Sequence, residues 1–415
     1  MTCLDLPPVT HPAFTSAWEI GLAKLQPTPG ELEHGLKLHR SLTICEHYGF
    51  LPSGWDRAAI DHQHAGTDGQ SYTDFVRRQS YLRTTAMVRS ESAREEVAAA
   101  LDQAGVHAIV VPANDYGETL EDAIGRMAAF QQFYHHLPDR LFPAGDVAGI
   151  ERARARNATA VIYSLTGMPI FGAGDMLDPT RLLQWVEIWH SMGVRFMHLS
   201  YNRRNLFANG CTETGGGISD LGRDLITMMN RTGVIVDVPH SNRETLLDAV
   251  RLSSGPVIAS HTGCQAVHDG LRCKSDEELK AIASTGGYIG IFSVPQLLGE
   301  NADINLMLRH VEHAVNVVGP EHVVIGTDVG HTQPAPETLK PAAGGWRRRI
   351  AGGWNEGKPL APWSNEHTRG SLAWTNRPLF TVGLVKMGLS DDAIAQIHYG
   401  NLRRVLSSLD QNQRG

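Results

Sequence analysis

Residues 233–240 read GVIVDVPH, residues 256–261 read PVIASH, and residues 322–328 read HVVIGTD. Each is a short run rich in Val and Ile, bounded by Gly or Pro, and such runs form strands buried on both faces, as in a parallel sheet. Each closes on a potential metal ligand: His240, His261 or Asp328. Polar residues at the carboxyl ends of parallel strands are what a (β/α)8 barrel gathers around its active-site mouth. Two imidazoles and a carboxylate converging there predict metal-assisted hydrolysis.

Outward from these runs, five more complete a set of eight: SLTICEH (41–47), HAIVVPA (107–113), ATAVIYSL (158–165), VRFMHLSY (194–201) and YIGIFSV (288–294). Apolar residues recur at three- and four-residue steps over 180–192, 218–231, 242–252, 275–284 and 303–317, the period of helices with one buried face. Ser241, Ser275 and Asp303 are the expected helix starters, because a short polar side chain accepts from the free amides of a first turn. Strand after helix after strand demands a parallel sheet. The expected fold is therefore α/β, a single (β/α)8 TIM barrel of the metal-dependent hydrolase type over residues 1–415.

Three regions exceed a minimal barrel. Residues 1–37 form an N-terminal leader. Residues 52–95 form an insertion after the first strand, with His62, His64, Arg77 and Arg78. Residues 330–378 form a Trp-rich loop with Trp346, Trp354, Trp363, Trp374 and the basic run Arg347, Arg348, Arg349. A long loop after the last strand lies over the barrel mouth as a lid or subunit contact, or else packs its Trp residues on the barrel surface.

A hydrophobic content of 42% over 415 residues supports a sizeable core, as expected of a soluble enzyme, and a net charge of −7 argues against a nucleic-acid partner. The first twenty residues lack the cationic start and apolar run of a signal peptide, and no stretch reaches membrane-spanning length. The expected location is cytoplasmic, with no membrane partner. Cys3, Cys45, Cys211, Cys264 and Cys273 are odd in number and form no C-x-x-C pair, which predicts reduced thiols and no thiolate zinc site. No Walker motif, complete dinucleotide fingerprint or G-x-S-x-G elbow occurs.

His240 and His261 lie one strand-helix repeat apart, so neighbouring strands should bring their rings to one point. The alternative is that each histidine caps its strand by bonding to loop backbone. Asp328 can bind a metal, take a proton from bound water or orient a substrate amine. His47 ends the first strand, beside the eighth in a closed barrel, and could face the same centre. Tyr201 could donate to a developing oxyanion or pack beneath its loop. Arg272 could hold a substrate carboxylate, or pair with Asp276 or Glu277. His62 and His64 could add a ligand if the insertion folds inward, or stand in solvent.

The stretches GVRFMHLSYNRRNLFANGCTE, GISDLGRDLITMMNRTGVIVDVPHSN, PVIASHTG, RCKSDEELKAIASTGGYIGI, GPEHVVIGTD and GNLRRVL resemble the membrane dipeptidase (renal dipeptidase-like, peptidase M19) family, over about residues 38 to 405. The resemblance implies a (β/α)8 barrel with a two-zinc centre that hydrolyses dipeptides, and a homo-oligomer. It matches His240 and His261 to the two histidines of one zinc, Asp328 to the acidic residue beside the bridging water, and Arg272 to the arginine that grips the substrate carboxylate. At the other zinc the chain departs from the pattern. The first-strand H-x-D motif reads His47-Tyr48-Gly49, Thr166 stands near the position of the bridging glutamate, and Tyr201 replaces a substrate-contacting histidine.

The expectation is a dipeptidase-like metallohydrolase that cleaves an amide in a small carboxylate-bearing substrate. It holds one zinc ion rather than two, an ion-free site being the remaining alternative. The metal set is His240 and His261 with His47 or Asp328, and Asp328 and Tyr201 are the catalytic groups. The alternatives are a barrel redirected to a lyase, isomerase or biosynthetic tailoring reaction, and a non-catalytic pseudoenzyme.

Overall fold

A computed structural model of the chain describes residues 9, 11–55, 82–83, 85–114, 119–169, 178–333 and 370–412. His62, His64, Arg77, Arg78, Trp346, Trp354, Trp363 and the run Arg347 to Arg349 lie outside the described residues.

The eight apolar runs form the eight staves of a parallel barrel. These are β1 (Cys45–Glu46), β2 (Ala108–Pro112), β4 (Thr159–Leu165), β5 (Val194–His198), β6 (Ile235–Asp237), β7 (Val257–Cys264), β9 (Ile289–Ile291) and β10 (Val323–Ile325). They are hydrogen-bonded in that order, every pair parallel. Backbone bonds join the first stave to the last: His47 N–H donates to Ile325 O at 3.4 Å, and Asp328 N–H to Tyr48 O at 2.9 Å. Two short strands were not expected from the sequence. β3 (Leu141–Pro143) pairs with β4, and β8 (Cys273–Lys274) pairs with β7.

Alternation along the staves sorts side chains into two layers. Ala108, Val110, Ala160, Ile162, Phe196, Ile235, Ile258 and Val324 belong to the barrel interior, and Leu402, Val405 and Leu406 of the terminal helix pack against the same cluster. Asn401 donates to Pro320 O and Val323 O, so this helix closes the amino ends of the staves. The opposite end holds the polar residues.

The five expected helices are present as Pro179–Ser191, Asp220–Thr232, Arg243–Leu252, Asp276–Ser284 and Ile304–Val318. Ser275 and Asp303 cap theirs as expected, whereas the helix Arg243–Leu252 is capped by Asn242 and not by Ser241. The reason is that Ser241 stays in an antiparallel bridge with Gly210, which leaves Asn242 as the first residue free to accept from Thr245 N–H. Within residues 1–37, the helices Thr15–Leu25 and Pro29–Ser41 are built into the body, and the second runs past residue 37. A capping box starts it: Thr28 and Glu31 each accept from the other's backbone amide. Among the described residues, no helix is long and apolar enough to cross a membrane.

Candidate active site

His261 lies within β7, which continues three residues beyond it to Cys264, while His240 follows β6 in the turn that leads to the next helix. Both are buried, and their Nε2 atoms face each other at 3.0 Å. Asn202 Oδ1 stands 2.7 Å from His240 Nδ1. An amide oxygen only accepts, so His240 carries its hydrogen on Nδ1 and presents a lone pair at Nε2. His261 Nδ1 is 2.9 Å from Ser260 Oγ. Two lone pairs would repel at that Nε2 separation, so the contact needs a proton or a cation between them. Tyr201 stacks on His240 and Tyr48 on His261, each with ring centroids 4.0 Å apart.

Burial, and then the positive charge of Arg272, hold both imidazoles well below the ordinary histidine range. They are therefore neutral at pH 7, the form that binds a metal. Arg272 is buried, with Nε donating to Pro239 O at 3.2 Å and Nη2 to His261 O at 3.0 Å. The acids considered as its partners are engaged elsewhere: Asp276 Oδ1 with His313 and Glu277 with Arg243. The sequence reading passed over Lys274. It is buried on β8, donates to Ser241 O at 2.6 Å and lies 3.9 Å from Glu278. An open cleft of about 500 Å³ reaches this corner, lined by Cys211, Ser241, Asn242, Cys273, Lys274 and Glu278 among others.

His47 is fully buried, and its Nδ1 is 3.2 Å from Ile325 O. Asp328 is part-exposed, and its backbone is left-handed with φ of 57°. Few non-glycine residues adopt that conformation, and those that do concentrate at functional positions. Thr166 donates to Asn114 O at 2.9 Å and so ties two loops together. Among the described residues, no group of three or more His, Cys, Asp or Glu side chains stands close enough together to hold a metal ion. His240 and His261 fit the nitrogen donors of one ion. His47, with Nδ1 at Ile325 O and Nε2 buried without a partner, offers one nitrogen donor, but Gly49 and Thr166 carry no carboxylate, so these three positions do not make up a second site.

Sequence reasoning also missed His198 and Asp237, both fully buried, with His198 Nε2 3.1 Å from Asp237 Oδ2. Asp237 Oδ1 accepts from Ser260 N–H at 2.9 Å. Strand alternation held the signal: His198 is two residues after Phe196, and Asp237 two after Ile235, and both of those apolar residues face the barrel interior.

With this geometry in view, the sequence pattern described as Membrane dipeptidase (Peptidase family M19) matches residues 69–343. The chain belongs to the membrane dipeptidase family. Members of this family are metallopeptidases, typically zinc-dependent. Among similar curated proteins, an uncharacterized dipeptidase of Schizosaccharomyces pombe is 32% identical over 159 residues, 37% of this chain and 39% of that protein. The dipeptidase tcpJ of Claviceps purpurea is 33% identical over 226 residues, 52% of this chain and 51% of that protein. The matches thus span about half or less of these two relatives. Two solved structures from Pseudomonas aeruginosa share the fold. An amidohydrolase superposes with a TM-score of 0.66 at 22% identity, covering 90% of this chain and 98% of that one. The probable dipeptidase PvdM gives 0.63 at 17% identity, covering 93% and 100%.

Proposed function

We propose that this membrane dipeptidase family member is an amide hydrolase for a small, dipeptide-like substrate with a free carboxylate, and that it works with one divalent ion, zinc by preference, at His240 and His261. One observation carries the reading: two neutral imidazoles direct Nε2 at each other across 3.0 Å while their Nδ1 atoms are held by Asn202 and Ser260. Outer oxygens on the non-ligating nitrogens are the usual support of metal-bound histidine. A bound ion supplies Lewis acidity and a water acidic enough to ionise near neutral pH.

The chain's own groups supply the rest. Asp328, with His47 as the other candidate from the facing strand, completes the metal set or takes the proton from the attacking water. Tyr201, stacked over His240, donates its hydroxyl to the carbonyl oxygen as negative charge develops there. Arg272 keeps a fixed positive charge at the mouth and steers the substrate carboxylate. Hydrolysis of a panel of dipeptides, with and without a chelator, tests the reading. Turnover that stops with chelator, returns with zinc, and disappears in His240→Ala and His261→Ala is the expected result. Chelator-insensitive turnover overturns it.

One observation favours a second reading. Gly49, Thr166 and Tyr201 replace the residues that the resemblance implies at a second ion and at the substrate. A barrel altered there suits a lyase, isomerase or tailoring step on a related small molecule. Turnover of such a substrate with no dipeptide cleavage would select it.

A further inference from the structure

We infer that His198 is the third imidazole of a single metal site with His240 and His261, and that Asp237 is the buried carboxylate that orients it. The inference rests on the one-ion reading above and adds a ligand from β5, the stave beside β6.

Three buried imidazoles form a triangle in the barrel mouth. Their ring centroids are 5.1 Å apart for His240 and His261, 5.6 Å for His198 and His240, and 5.5 Å for His198 and His261. A tetrahedral ion bound at about 2.0–2.1 Å by ring nitrogens sets ligating rings roughly 5 Å apart, centre to centre. His198 therefore stands at almost the spacing that such a site demands.

The surroundings of the three rings follow one pattern. His240 Nδ1 faces Asn202 Oδ1 at 2.7 Å, His261 Nδ1 faces Ser260 Oγ at 2.9 Å, and His198 Nε2 faces Asp237 Oδ2 at 3.1 Å. Each ring thus has an oxygen beside one nitrogen, the arrangement that fixes ligating tautomers, while the second nitrogens of His240 and His261 meet each other at 3.0 Å. In His198, moreover, neither ring nitrogen makes a well-formed hydrogen bond, nor does Asp237 Oδ2, although all are buried. Buried polar groups are normally satisfied, and a group left unmet in the protein signals a missing partner. A cation at the triangle's centre would take His198 Nδ1 and draw its Nε2–H onto Asp237. The carboxylate also offsets the positive charge that Arg272 and Lys274 bring to this corner.

In the present arrangement the three nitrogens do not yet meet at one point, since no such group is close enough to hold an ion among the described residues. A small adjustment of the His198 ring that keeps Nε2 beside Asp237 would close the gap. Three imidazoles with one open position suit zinc, or cobalt as its spectroscopic substitute.

The test uses the full chain, stripped of metal and titrated with Co²⁺, followed by zinc competition and by X-ray absorption at the zinc edge. The wild type should bind one equivalent, give the visible bands of a tetrahedral cobalt site, and show three imidazoles at the zinc edge. His198→Ala and the bulkier His198→Gln should weaken binding at least about tenfold and alter the cobalt spectrum, and Asp237→Asn should weaken it roughly 10- to 100-fold. If the wild type binds one ion with only two imidazoles, or if folded His198 variants keep its affinity and spectrum, the inference fails and the one-ion reading stands. A wild type that binds neither cobalt nor zinc overturns both. The absorption count needs no variant, so loss of folding in a His198 substitution still leaves the inference open to refutation.

Discussion

Asn202 fixes which nitrogen of His240 carries its hydrogen, and so which one is offered to an ion. Asn202→Ala should therefore lower zinc affinity by roughly 10- to 100-fold in competition with a chelator, without a comparable loss of folding. Unchanged affinity would show that the ring is positioned by packing on Tyr201 alone. Arg272→Ala should raise KM for a dipeptide roughly 10- to 100-fold, with a smaller change in kcat. An unchanged KM removes Arg272 from substrate binding. At this scale the sequence disclosed the residues that end apolar runs, His240 and His261, because the hydrophobic contrast around them is sharp. It hid His198 and Asp237, each at a strand's last residue but inside a longer run, where a polar residue reads as an interruption until the two-residue alternation shows it facing the barrel interior. Lys274 was hidden by its neighbours: in RCKSDEE it resembles a solvated charge, and only β8 pairing with β7 buries it.

The staves were legible as elements because a strand buried on both faces must be apolar throughout. Their ends were less so. VPH and GTD extend their runs beyond the strand ends at Asp237 and Ile325 because Val238 and Gly326 still bond to the neighbouring staves, and β7 outruns PVIASH because Thr262, Gly263 and Cys264 still pair with neighbours. β3 and β8, at three and two residues, are too short for any periodicity to register. Nothing in the sequence indicated what seals β1 to β10. Glu46, fully buried, accepts from Thr327 N–H and Oγ1 at 2.8 Å each, and Arg377 lies 3.3 Å away, while also donating to Cys45 O and Ile325 O. Two ions taken from water are costly, and removal of one strands the other. Arg377→Met should thus destabilise the fold by about 3–5 kcal/mol in urea denaturation, and adding Glu46→Gln should recover part of the loss. A loss below about 1 kcal/mol would show that the seam does not depend on this pair.

Across the whole molecule, buried neutral histidines link distant segments. His39 on the helix Pro29–Ser41 contacts Ala104 O and Thr381, and Thr381 contacts His398. His107 accepts from Ile44 N–H, and His310 accepts from Cys264 N–H and contacts Leu298 O. Burial above all lowers His39 to about 3 and His107 and His310 to about 4. These folded values lie below the unfolded value near 6.5, so the unfolded chain takes up the protons first. The stability they contribute is complete above pH 6.5 and falls as the pH drops toward 4, by up to about 1.4 kcal/mol per pH unit for each histidine. Denaturation midpoints measured from pH 8 to pH 5 should be steady in the upper part of the range and decline steeply below pH 6. A flat profile would contradict the neutral assignment.

Elemental analysis of the purified protein measures whether His240 and His261 grip a single ion. One equivalent of zinc or another divalent metal per chain is expected, lost in His240→Ala and in His261→Ala. Two equivalents per chain, or one that survives both substitutions, would contradict it.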